Sequence, residues 1–89
     1  MLKVTKVQES GNDVLLKLEG KITDQWAVLL DGECRSYIRK RKVVHLDCSH
    51  VEHIDIRGVE VVKNLPRTHV ILMSAPAIVT ELLHIGGRS

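Results

Sequence analysis

The chain has almost no aromatic residues: phenylalanine is absent, and Trp26 and Tyr37 are the only aromatics among its 89 residues. A surface that holds single-stranded nucleic acid needs aromatic faces for base stacking, interleaved with cations. The cations are present in Arg35, Arg39, Lys40, Arg41 and Lys42, but the stacking partners are not. A formal net charge of +2 is also too small to imply a polyanion partner. The basic cluster therefore reads as a solvated helix end, where cations complement the dipole, and no nucleic acid is expected. Cysteine is scarce too. Cys34 and Cys48 fall inside a helical and a strand pattern rather than in a spaced framework, so each is expected to be reduced and buried. No apolar run is long enough to cross a bilayer. Met1-Leu2-Lys3-Val4 leads straight into an alternating pattern, without the apolar stretch of a secretory leader. The expectation is a cytoplasmic protein with no direct membrane insertion. Phosphate-cradling glycine loops and nucleophile elbows are also missing, and Cys48 and His50 are too close in sequence to suggest a nucleophile–base pair. Neither an enzyme nor a cofactor is expected.

What is present is a hydrophobic fraction of 44%, enough for a small core, and 1–89 is read as a single domain at the small end of what folds alone. Leu2, Val4 and Val7 lie in a charged, roughly alternating run that ends in the turn Glu9-Ser10-Gly11-Asn12-Asp13. Val14 to Ile22 is a second, more aliphatic run with Lys17, Glu19 and Lys21 alternating outward, so a hairpin is predicted. From Asp24 the period changes to that of a helix. Trp26, Leu29, Leu30, Cys34, Tyr37 and Ile38 share one face, Asp31, Arg35 and Lys42 point away, and Thr23 or Asp24 can cap the start. Gly32 is a local weakness inside this helix, costing up to about 1 kcal/mol against Ala if exposed.

Val43-Val44-His45-Leu46-Asp47-Cys48 reads as a strand covered on both faces, and Ser49-His50-Val51-Glu52-His53 as the loop that follows it. A second helix is predicted from about Arg57 to Leu65, stopping before Pro66. His69 to Met73 is another strand, and Ser74-Ala75-Pro76 opens a last helix with Ile78, Val79, Leu82 and Leu83 inward, ended by Gly86-Gly87. The order ββαβαβα implies an α/β fold whose later strands are parallel and joined by right-handed crossovers.

Three stretches together resemble the STAS domain family, the module of bacterial anti-sigma factor antagonists and of sulphate transporter tails. Val14-Leu15-Leu16-Lys17-Leu18-Glu19-Gly20-Lys21-Ile22 is similar to the family's second strand with its terminal Gly. The run from Val43 to Val59 is similar to its central strand, loop and helix start. Met73-Ser74-Ala75-Pro76-Ala77-Ile78-Val79-Thr80-Glu81-Leu82-Leu83 is similar to its final helix. The resemblance covers nearly the whole chain, with a second helix and following loop shorter than usual. It implies a mixed sheet with helices packed mainly on one face. The family pattern at the central loop is Asp, Ser, Ser or Thr, Gly, then a hydrophobic residue. Asp55, Gly58 and Val59 fit it, whereas Ile56 and Arg57 do not. By resemblance, the first hydroxyl of the pattern is phosphorylated by the partner kinase in regulated antagonists. Here that position is Ile56, which has no oxygen to accept a phosphate, so no phosphorylation is expected there.

The residues of this loop carry their own physical reading. Asp55 can accept hydrogen bonds from the free amides of the next helix and oppose its positive end. An ordinary N-cap and a partner contact are both open for it. Gly58 permits close backbone approach. Ile56 is either a buried apolar residue or an exposed apolar contact point, and the expectation is the second. Arg57 sits at the helix start, unfavourably for the dipole, which points to an acidic partner or a bound anion. His45, Asp47, His50, His53 and Asp55 crowd into one stretch with enough nitrogen and oxygen for a metal. Strand and loop placement separates them, and no metal is expected. Two function classes remain. One is a non-enzymatic regulatory module that binds a protein partner, such as an anti-sigma factor kinase, through Asp55, Ile56, Arg57, Gly58 and Val59. The alternative is a cytoplasmic STAS subunit of an ABC transporter of the phospholipid-trafficking type. The sequence leaves the oligomeric state open.

Overall fold

The polar turn after the first strand closes a hairpin: the Ser10 N–H donates to the Asp13 carbonyl at 2.8 Å, and Ser10 Oγ accepts from the Asp13 N–H at 3.2 Å. It joins β1 (Leu2–Glu9) antiparallel to β2 (Asp13–Ile22). The computed structural model describes residues 1–77, 80 and 81. The chain continues through α1 (Asp24–Arg39), β3 (Val43–Ile54), α2 (Ile56–Asn64) and β4 (Val70–Met73). The strands form one mixed sheet in the order β1-β2-β3-β4, with β2, β3 and β4 mutually parallel as the crossovers require. Among the described residues, the expected last helix is represented by its first turn, where the Thr80 N–H donates to the Pro76 carbonyl at 3.0 Å. Ile78, Val79, Leu82, Leu83 and Gly86-Gly87 lie outside the described residues.

α1 and α2 cover the same face of the sheet, and the core lies between them and the strands. Val14, Leu16 and Leu18 of β2 and Val44, Leu46 and Cys48 of β3 are buried against Ala27, Leu30 and Cys34 of α1. Burying each Leu or Val here stabilises the fold by about 1.5–3 kcal/mol relative to leaving it exposed. Both cysteines are free and buried. Burial pushes their thiols up, Cys34 to about 12 and Cys48 to about 11.

Four expectations about side-chain placement change. First, β3 is covered on one face only: Val44, Leu46 and Cys48 point inward, while His45 and Asp47 are half-buried on the open face. Second, Ser49-His50-Val51-Glu52-His53 is strand rather than loop. Shifts in the β2–β3 register between Lys17 and Glu19 and between Gly20 and Lys21 insert extra residues into β3, which breaks the period-2 pattern. Third, the inward face of α1 is centred on Ala27, Leu30 and Cys34. Leu29 is 58% exposed, and Trp26, Tyr37 and Ile38 are half-buried at the margin. Fourth, Asp31 and Arg35 do not simply face solvent. Arg35 Nε donates to Asp31 at 3.0 Å and its terminal nitrogen donates to the Asn64 carbonyl at 3.3 Å, which ties α1 to the end of α2.

Candidate functional site

The loop between β3 and α2 is built from backbone contacts first. The Asp55 N–H donates to the Ile22 carbonyl at 3.3 Å, and the Val59 N–H donates to the Asp55 carbonyl at 2.9 Å, starting α2. Asp55 has the extended backbone of an N-cap residue, and its Oδ1 accepts from the Gly58 N–H at 2.7 Å. Its Oδ2 accepts from the Asp24 N–H at 3.1 Å. One carboxylate therefore lies between the starts of both helices, whose positive dipole ends both favour it.

The start of α1 was not legible as part of this site. Thr23 occupies the N-cap position in extended conformation but makes no side-chain cap bond, and its carbonyl accepts from the Trp26 N–H at 2.9 Å. Asp24 follows with φ 45°, in the left-handed region. This conformation is unfavourable for a residue with a Cβ and turns the Asp24 amide toward Asp55. The partners are 31 residues apart in sequence, so no local pattern signals the contact.

Gly58 is required by packing. A Cβ at this position would collide with the Ile22 carbonyl oxygen and come within 2.7 Å of Ile54 Cγ1. Because the glycine lets α2 begin hard against the end of β2, the first residue of the helix is thrown outward. Ile56 is 80% exposed. Arg57 is exposed beside it and forms no ion pair among the described residues. Val59 turns the other way and packs against the core. The structure thus exposes Ile56 and Arg57 at one corner, beside the half-buried Asp55 and above the buried Gly58, with Val59 seating the helix beneath them.

The other clusters point elsewhere. His45 Nε2 lies 2.9 Å from Asp13 Oδ1, and His50 Nδ1 lies 3.0 Å from Ser49 Oγ. Asp47 accepts from the Ser49 N–H at 3.0 Å, which holds its carboxyl below the usual range. Among the described residues, no three His, Cys, Asp or Glu side chains are grouped to hold a metal. The basic stretch after α1 is partly neutralised. Lys42 pairs with Glu9 at 3.1 Å and reaches the Ser10 carbonyl, and Lys40 lies 5.6 Å from the Tyr37 ring centre. Hydrogen bonds from Lys6 and Lys42 lower the Glu9 carboxyl to about 2. No helix among the described residues is long and apolar enough to cross a membrane.

Mixed sheet order, helices on one face and an Asp-capped loop at the close approach of α2 define a class. The STAS domain family model matches residues 4–87, and the chain belongs to that family. Among solved structures it is similar to the anti-sigma factor antagonist SpoIIAA in its unphosphorylated form. The TM-score is 0.73 at 12% identity, covering 94% of this chain and 84% of that one. An anti-sigma factor antagonist from Mycobacterium paratuberculosis aligns with a TM-score of 0.73 at 15% identity, covering 98% of this chain and 79% of that one. At these identities the likeness is one of fold. A comparison with curated proteins gives no match.

Proposed function

We propose that the chain is a non-enzymatic regulatory module of the anti-sigma factor antagonist kind, which docks on a protein partner through Asp55, Ile56, Arg57, Gly58 and Val59. The observation that carries this reading is Ile56. It stands 80% exposed at the start of α2, on a loop fixed by the Asp55 carboxylate and by the close approach at Gly58. An exposed aliphatic side chain on a rigid corner is an economical contact point, because little conformational freedom is lost when it is covered. By family resemblance this is the place of the phosphorylated hydroxyl. A phosphate would add about two negative charges here. Ile56 mimics the uncharged state permanently, so the module binds constitutively. Val59 serves from below, seating the helix that presents the contact. The fold carries no catalytic or cofactor role in this reading, and the partner is a protein such as an anti-sigma factor kinase.

The test is Ile56→Asp. A carboxylate in the contact must be desolvated on docking, at a cost of about 2 kcal/mol or more, while a helix-start acid suits the dipole and leaves the fold intact. The partner is first captured from the native cell and identified by mass spectrometry. Calorimetric titration with that partner should then show affinity weakened by at least about tenfold, with an unchanged denaturant melt. Equal affinity would remove this loop from the interface. Capture of a permease and its ATPase instead of a kinase would move the module to the transporter class.

A further inference from the structure

The outer surface of α1 carries apolar area that the fold does not use. Val28 is 52% exposed and Leu29 58% exposed. With Trp26, Gly32 and the β1 residues Leu2 and Val4 they line a shallow groove of about 480 Å³ along the helix. Gly32 lies at its middle. Glycine is the weakest ordinary helix former apart from proline, yet nothing among the described residues asks for it. Its φ is not positive, and a Cβ built there would meet nothing within 4 Å. The groove is thus left open at a cost to the helix that presents it.

We propose that this groove seats a second copy of the chain, α1 packed antiparallel on α1 about a two-fold axis. The occupant is indicated by charge. The exposed N-terminal end of the helix carries Asp24 and its exposed C-terminal end carries Arg39 and Lys40, and none of these three forms a salt bridge among the described residues. Parallel pairing would set like charges together. Antiparallel pairing sets Asp24 of each copy near Arg39 and Lys40 of the other and opposes the two helix dipoles. Gly32 falls at the midpoint of Asp24–Arg39, so a two-fold axis beside it overlaps the helices along their full length. Leu29, one turn before, then enters the notch at Gly32 of the second copy, and the reverse contact follows by symmetry. The face complements itself in shape at its centre and in charge at its two ends, with Glu33 and Ser36 completing the groove between them. This interface is independent of the partner reading of the Ile56 corner.

Sedimentation velocity of the purified chain over a wide concentration series tests the proposal, with denaturant melts of every variant. The expected result is a reversible monomer–dimer equilibrium. Leu29→Glu should raise the dimer dissociation constant by at least about tenfold with an unchanged melt, since the side chain is exposed in the monomer. Gly32→Ala should shift the two readouts in opposite directions, raising the melting midpoint at concentrations where the protein is monomeric while weakening the dimer several-fold. Asp24→Lys should weaken the dimer, and adding Arg39→Glu with Lys40→Glu should restore part of the loss. A chain that stays monomeric at its highest soluble concentration overturns the proposal. So does a dimer that Leu29→Glu and Gly32→Ala leave unchanged.

Discussion

A methyl group at position 58 has nowhere to go. An ideal Cβ there would fall on the Ile22 carbonyl oxygen, 3.2 Å from the carbonyl carbon and 2.7 Å from Ile54 Cγ1. The Ile54 side chain can turn aside. The Ile22 carbonyl cannot, because it accepts the Asp55 N–H and belongs to the strand end that pairs with Ile54. In Gly58→Ala the start of α2 must therefore lift. Forcing a methyl into a packed site costs about 1–3 kcal/mol. Lifting also stretches the 2.7 Å bond from the Gly58 N–H to Asp55, a cap contribution of about 1 kcal/mol. The better helix propensity of Ala offsets about 1 kcal/mol of this. The net loss is about 1–3 kcal/mol, or about 4–8 °C of melting midpoint for each kcal/mol in a domain of this size. Urea melts of wild type and variant measure it as a lower midpoint at unchanged slope. Gly32→Ala is the internal control, since it makes the same propensity gain with nothing within 4 Å of the new methyl. A Gly58→Ala variant as stable as wild type would refute the close approach of α2 to β2, and with it the outward placement of Ile56.

The features that were legible in the sequence are those with a local cause. The hairpin follows from Ser10-Gly11-Asn12-Asp13 between two strand-like runs, and parallel pairing follows from helices that separate β2, β3 and β4. The Asp55 cap was readable because cap and partner lie three residues apart, whereas Gly58 was readable only as a place of close approach, since the Ile22 carbonyl it meets is distant in sequence. Features with a non-local cause were misread. Two irregularities in the β2–β3 register shift side chains of β3 between faces, so its second half shows no alternation and resembled a loop. The helical period groups the larger apolar residues of α1, Leu29 among them, on one face. The sheet instead accepts Ala27, fully buried, and leaves the larger Leu29 outside. A face chosen for close packing against a sheet need not contain the largest side chains. The second bond of Asp55, to the Asp24 amide, depends on a left-handed residue that only the folded chain stabilises. The site was therefore legible as a loop but not as the meeting point of two helix starts.

Three further substitutions or conditions separate these causes. Trp26→Ala should cost about 2 kcal/mol in a urea melt, below the 3–5 kcal/mol of a fully buried Trp, because Trp26 is only half-buried against the core; a loss above about 4 kcal/mol would restore it to the centre of the helix face. In alkali, the unfolded chain loses its thiol protons near the ordinary value of 9.0, while Cys34 and Cys48 hold theirs to about 12 and about 11. Folding is thus favoured below about pH 9, and that part of the stability is lost as pH rises through the folded values, which melts of wild type and Cys34→Ala across this window can follow. The last test isolates the second bond of Asp55. Asn caps a helix about as well as Asp, so Asp55→Asn should keep the bond from the Gly58 N–H through its amide oxygen. Its amide nitrogen, however, would face the Asp24 N–H and could not accept from it. With the charge lost between two positive helix ends as well, Asp55→Asn should cost about 1 kcal/mol, and Asp55→Ala about 2 kcal/mol as both bonds go. Hydrogen exchange should quicken at Asp24 in both variants and at Gly58 mainly in Asp55→Ala. If Asp55→Asn matches wild type in stability and in exchange at Asp24, the carboxylate caps α2 alone and the two helix starts are not coupled through it.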